Sequence, residues 1–157
     1  MATIITKTIG QDGWQDFSTI QGATDAITTS DVANTADLVA ADKAVVFEIY
    51  AGTYSESVTI NEGLTCDATR NVTYKAAAGS EHSGDPTSGV LLKNANSSAQ
   101  GIYDNHTTFE GLVFEQHSAA TNNNYGISPH GDGVFFRGCI LNYPIQQRDA
   151  VQIRGGS

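Results

Sequence analysis

Between Gly101 and Ser157 one unit is written twice and begun a third time, and this repeat limits the chain more than any other feature. Gly101-Ile102-Tyr103 precedes Thr107-Thr108-Phe109-Glu110-Gly111-Leu112-Val113-Phe114, and Gly126-Ile127-Ser128 precedes Val134-Phe135-Phe136-Arg137-Gly138-Cys139-Ile140-Leu141. Ala150-Val151-Gln152-Ile153 then restarts the frame. The spacing is 27 from Phe109 to Phe136, 25 from Ile102 to Ile127 and 24 from Ile127 to Val151. Short apolar runs at this period, joined by polar turns, predict stacked strands with one repeat per coil of a solenoid.

Upstream, Thr3 to Ile9 is β-prone and stops at Gly10-Gln11-Asp12-Gly13. Ile20, Ala23, Ala26 and Ile27 recur at helical spacing, with Asp16 or Ser18 placed to cap the start, so one short amphipathic helix is expected over the first coil. Laid there, its apolar face hides an otherwise open strand edge. The runs Ala44 to Tyr50, Ser57 to Ile60, Val72 to Ala76 and Val90 to Lys93 read as strands, and the segment from Ala78 to Gly89 as a surface loop. The expected organisation is a single domain over 1–157, with strand, helix and connection in 1–43 and coils in 44–157.

Charge and cysteine usage exclude several function classes. The chain carries 8 Lys+Arg against 17 Asp+Glu, a formal net charge of -9, which repels nucleic-acid phosphate and anionic membrane. No window approaches the roughly 18 apolar residues of a membrane span. Met1 to Lys7 lacks the apolar core of a secretory signal, which points to a protein made and kept in a cytoplasm or leaving it by a route other than signal-dependent secretion. Two cysteines, Cys66 and Cys139, do not make a disulfide framework, and Cys139 inside an apolar run reads as a small buried hydrophobe.

Trp14-x-x-Phe17-x-Thr19-Ile20-Gln21-x-Ala23-x-x-Ala26-Ile27, followed by Val45-Val46-Phe47-Glu48-Ile49-Tyr50-Ala51-Gly52-x-Tyr54-x-Glu56-x-Val58-x-Ile60, resembles the start of a right-handed parallel β-helix of the pectin lyase-like superfamily. The pattern is closest to the pectin methylesterase branch, and the runs at Phe109 and Phe135 resemble its coil signature. The resemblance implies an all-β fold: a short right-handed single-stranded parallel β-helix of about four to five coils with an N-terminal capping α-helix. It also implies where an esterase would carry its chemistry, with a Gln before the strand at Gly126 and a Gln-Asp pair after Tyr143. Asn124-Tyr125 and Pro144-Ile145-Gln146 stand there instead, so no catalytic residue is expected. Met1 to Gly10, Asp37 to Asp42, and Asp67-Ala68-Thr69-Arg70 leading to Ala76-Ala77-Ala78-Gly79 are similar to β-helical proteins of bacteriophage and prophage structural modules.

The reading that results is a non-enzymatic structural component of a bacteriophage virion, a capsid decoration or tail-associated protein assembled in the host cytoplasm. The alternatives are a tailspike-type receptor-binding or polysaccharide-degrading fragment, for which Glu48, Glu56, Glu110 and Glu115 are the carboxylates to examine, and a carbohydrate esterase or lyase relative. Asp104, His106, His130 and Asp132 fall in equivalent turns and are the candidate metal ligands. The same residue types are ordinary turn formers, so no metal or other cofactor is expected. Partners are other virion proteins or further copies of the chain, met through Val151, Ile153 and Arg154 of the last, uncapped coil, with a host-surface glycan as a further candidate.

Overall fold

A computed structural model describes residues 1–94, 100–115 and 127–142. Its twelve strands are β1 (Thr3–Ile9), β2 (Lys43–Ile49), β3 (Gly52–Ser55), β4 (Thr59–Ile60), β5 (Val72–Ala76), β6 (Val90–Lys93), β7 (Gln100–Ile102), β8 (Thr107–Glu110), β9 (Leu112–Glu115), β10 (Ile127–Pro129), β11 (Phe135–Arg137) and β12 (Ile140–Asn142). They form a five-stranded first sheet ordered β1-β2-β5-β8-β11, a second sheet β3-β6-β9-β12 and a third sheet β4-β7-β10. Every pairing is parallel. From β2 onward consecutive strands enter the first, second and third sheets in turn. Gly111 at φ +68 and Gly138 at φ +57 supply the left-handed residues that turn the chain from β8 to β9 and from β11 to β12.

The interior is organised by a column across the first sheet. Phe47 pairs with Tyr74, Tyr74 with Phe109 and Phe109 with Phe136. The rings stack at centroid separations of 5.2, 5.4 and 5.3 Å, with interplanar angles of 27°, 15° and 13°. Phe17 meets one end edge-on and Phe114 meets Phe109 and Phe136 edge-on from the second sheet. Tyr54, Leu92, Ile60, Ile102 and Ile127 fill the space opposite. The Tyr74 hydroxyl is buried but bonded to Thr24 Oγ1 at 2.9 Å, and burial pushes its ionisation well above the usual phenol value.

The expected short right-handed single-stranded parallel β-helix with an N-terminal capping α-helix is overturned by two findings. Among the described residues none of the three sheets closes on itself, and helix is confined to the six residues of α1 (Ile20–Asp25). The architecture is three open parallel sheets, with strand making up 41%. The helix is short for physical reasons. Phe17 is drawn into an extended bridge with Ile9, and Gly22 and β-branched Thr24 are weak helix formers. The N-cap is Thr19, whose hydroxyl accepts the Gly22 N–H at 3.1 Å, rather than Asp16 or Ser18. Asp16 instead binds the Thr8 backbone N–H at 2.8 Å. The edge of the first sheet is β1, not the helix.

The helix lies against β4 at the edge of the third sheet. The Glu56 carboxylate accepts the N–H groups of Ile20 and Gln21 at 2.9 and 2.8 Å, satisfying the free donors of the first turn. Gln21 then pairs with both backbone groups of Thr59, accepting its N–H at 2.7 Å and donating to its carbonyl at 3.1 Å, as a neighbouring strand would. Ile20, Ala23 and Ile27 face the core.

Phe109 touches three aromatic rings in this core, so Phe109→Ala is expected to lower unfolding free energy by about 3 to 5 kcal/mol. Tyr74→Phe, which removes only the bond to Thr24, is expected to lower it by about 1 kcal/mol. Urea unfolding followed by circular dichroism measures both. Equal losses in the two variants would show that the column does not carry the core.

Candidate functional site

The turns that follow β7 and β10 lie on one another residue by residue. Tyr103 stacks on His130 at 4.5 Å between ring centroids and 5° between planes. The His106 N–H donates to the Asp132 carbonyl at 2.7 Å, and the Asp132 N–H donates to Asn105 Oδ1 at 2.7 Å. Gly131 packs so tightly on the Asp104 carbonyl that a Cβ there would collide with backbone, and the His106 ring fills the space beside Gly133. His106 itself holds a left-handed φ of 51°, a strained setting for a residue other than glycine.

The turn is organised around Asp104. Its carboxylate is buried and accepts three backbone N–H groups from the preceding turn: Glu62 at 2.8 Å, Gly63 at 3.0 Å and Leu64 at 3.2 Å. Asp104 thus ties the turn after β4 to the turn after β7. Nearby Glu62 has its carboxyl held above the usual range, first by burial and then by the charges of Asp25 and Asp104.

The four residues singled out as metal candidates are therefore neighbours with different tasks. Asp104 points into the backbone of residues 62–64, His106 sits against Gly133, His130 lies on Tyr103, and Asp132 is in the exposed part of the turn. The two turns do lie one on the other, but the structure places Tyr103 over His130 and His106 over Gly133, so the histidines do not stack as one cluster. Among the described residues no group of three or more His, Cys, Asp or Glu side chains is placed to hold a metal ion.

A contact that sequence reasoning missed joins Ser128 Oγ to His130 Nε2 at 3.0 Å. The period-two alternation of a strand puts residues i and i+2 on one face, so Ser128-Pro129-His130 carried the signal. The distance suits a nucleophile and its base, but nucleophilic catalysis also needs a group that orients the imidazole and donors for an oxyanion. Among the described residues no carboxylate pairs with His130, and the Ser128 hydroxyl is buried. The positions Asn124, Tyr125, Tyr143, Pro144, Ile145 and Gln146 lie outside the described residues. So do the expected interface residues Val151, Ile153 and Arg154.

The outer face of the first sheet carries a row of alternating charge. Glu48 pairs in register with Lys75, Lys75 with Glu110 and Glu110 with Arg137. Lys75 Nζ is 2.9 Å from Glu48, and Arg137 is 3.0 Å from Glu110. The second sheet repeats the device with Lys93 and Glu115 at 3.0 Å. With Glu56 bound to the start of α1, each of the four carboxylates named for the polysaccharide-degrading alternative is engaged with a cation or a helix end. Such exposed pairs are worth about 0 to 1 kcal/mol each. Their effect is on the character of the surface rather than on stability.

The chain matches no family model, no curated protein and no solved structure.

Asp104→Ala leaves three N–H groups without their acceptor and is expected to destabilise by about 3 kcal/mol, measured by denaturant unfolding. Glu62 behaves oppositely. Because its folded pKa is raised, its contribution is favourable at low pH and is lost as pH rises through the folded value. Glu62→Gln is therefore expected to raise the thermal midpoint at pH 7 and to change little at about pH 3, where the carboxyl is protonated in both states.

Proposed function

We propose that this protein is a non-enzymatic structural component of a bacteriophage particle, in the capsid or the tail. The observation that carries the reading is the commitment of its sheet-face carboxylates. Glu48, Glu110 and Glu115 each face a lysine or arginine across a strand pairing, and Glu56 is taken up by the start of α1. A glycoside-cleaving pair needs one carboxyl free to give a proton and a second free to attack or to activate water. Carboxylates held in ion pairs serve surface chemistry instead, presenting a neutralised face on which strands of like register can stack.

The parallel sheets suit a structural role. Backbone donors and acceptors are used between neighbouring strands, so the short elements hold one another without long helices or loops in the core. The likeness of Met1 to Gly10 and of Asp67 to Gly79 to phage structural modules supports the same reading. The ion pairing also speaks against the polysaccharide-degrading alternative.

Two measurements test this. Mass spectrometry of purified particles from a lysogen or infection that expresses the chain is expected to recover it at stoichiometric rather than trace abundance. Incubation of the purified protein with a panel of neutral and acidic polysaccharides is expected to release no reducing ends and no unsaturated products. Recovery in the soluble lysate alone, or product release from any polysaccharide, would reject the proposal.

A further inference from the structure

The loop that joins β1 to α1 is pinned at both ends and along one side. The Gly10 N–H donates to the Phe17 carbonyl and the Phe17 N–H to the Thr8 carbonyl, both at 3.0 Å. Asp16 accepts the Thr8 N–H at 2.8 Å and the Thr8 hydroxyl at 2.9 Å, while its own N–H donates to Thr8 Oγ1 at 3.0 Å. Gln11 Nε2 reaches across to the Thr53 carbonyl at 3.0 Å, tying the loop to β3. These bonds hold the Asp16 carboxyl below its usual range, the Thr8 backbone N–H first among the causes.

At the tip of this fixed loop stands Trp14, the only tryptophan in the chain, 61% exposed. Its ring is set against Tyr50 at 4.8 Å between centroids and 74° between planes, so its orientation is fixed although most of its surface is in water. The side chain of the next residue, Gln15, fills the place where a Cβ on Gly10 would stand. Both polar atoms of the Gln15 amide are buried with no hydrogen-bond partner among the described residues. An exposed indole and an unsatisfied buried amide in one rigid loop both run against stability, and such conflicts concentrate where a chain is shaped for a ligand.

We propose that the Trp14 loop binds a neutral hexopyranose unit of an oligosaccharide. A sugar ring presents an apolar C–H face that matches an indole and a rim of hydroxyls that match amides and carboxylates. Asp12 is exposed two residues before the indole, where its carboxylate can accept from a sugar hydroxyl, and Gly13 at φ +83 adds no side chain to obstruct the ring. A protein partner would need roughly 800 Å² of surface with an apolar centre. The nearest exposed aliphatic residue on β1, Ile4, lies about 16 Å along the strand from Ile9, too far to share one small patch. The net charge of -9 and the adjacent Asp12 oppose sialylated or uronate-bearing glycans. This site is independent of the virion reading and stands or falls without it.

A glycan array carrying neutral and acidic glycans tests the proposal with the full chain. Wild type is expected to be retained on neutral hexose-containing glycans, Trp14→Ala to lose at least about tenfold in affinity, and Trp14→Phe to fall between. Because Trp14 is the sole tryptophan, the retained glycan in solution is expected to shift its emission to the blue. Equal retention of Trp14→Ala, retention on acidic glycans only, or no retention on any neutral glycan overturns the proposal. A blue shift that follows protein concentration without glycan would instead make Trp14 a contact between copies of the chain and overturn it equally. Unchanged thermal midpoints for the variants confirm that the loss is local, as exposure of the ring predicts.

Discussion

The stacked column Phe47, Tyr74, Phe109 and Phe136 fixes the register on which the rest of the molecule depends. In a strand, side chains alternate faces, so a slip of one residue at β5 or β8 would turn a ring of the column outward and a charge inward. The outer row of Glu48, Lys75, Glu110 and Arg137 is the same register read from the other side, each member one position beyond the ring it follows. Burying Lys75 or Glu110 without a partner would be far more damaging than losing one exposed pair. The aromatic column therefore supplies the packing and the charged row penalises the alternatives.

Asp104 does for the turns what the column does for the strands. One carboxylate gathers the N–H groups of residues 62–64, and the turn above it repeats the one below, with Gly131 and Gly133 leaving room for the Asp104 carbonyl and the His106 ring. The result is a surface on which Tyr103 and His130 are held flat against each other rather than free to converge on an ion. A turn built this tightly spends its polar groups on itself, which is why residues that read as ligands in sequence serve as structure.

Much of the strand pattern was legible in the sequence, since β5 and β6 match their apolar runs and the Phe109 to Phe136 spacing is a true pairing. The spacing of 25 between Ile102 and Ile127 was misleading. Ile127 pairs with Gln100 and Ile102 with Pro129, so this sheet keeps the same offset of 27 as the other two. The cause is Gln100, a buried amide in a core position. Its Oε1 accepts the Val58 N–H at 2.5 Å, and its Nε2 donates to the Glu56 carbonyl at 3.1 Å and to Asn94. A polar residue whose amide oxygen and nitrogen both find partners inside the protein cannot be told from a surface residue by hydropathy. Asp16 was misread for a related reason, because a carboxylate near a helix start looks like a cap until the chain brings Thr8 beside it. The fold class failed at closure, a property of how sheets meet, which short repeats do not encode. Ser128 and His130 were legible in principle from the period of two that puts them on one face of the strand.

The molecule's exposed groups divide into two kinds of surface, and the division follows from the fold. On the sheet faces the ladder spacing of about 4.8 Å brings side chains of adjacent strands within reach, so opposite charges pair and neutralise one another. Loops lack this ladder unless they stack as the turns after β7 and β10 do. A side chain at a loop tip is satisfied only if the loop folds back on it, as Asp104 does for the turn after β4, or if something else arrives. Trp14 belongs to the second group: every hydrogen bond in its loop serves to hold the backbone still, and none relieves the exposure of the ring. Rigidity in a loop reduces the entropy lost on binding, so the same bonds that leave the indole in water make it a better contact once a partner is present.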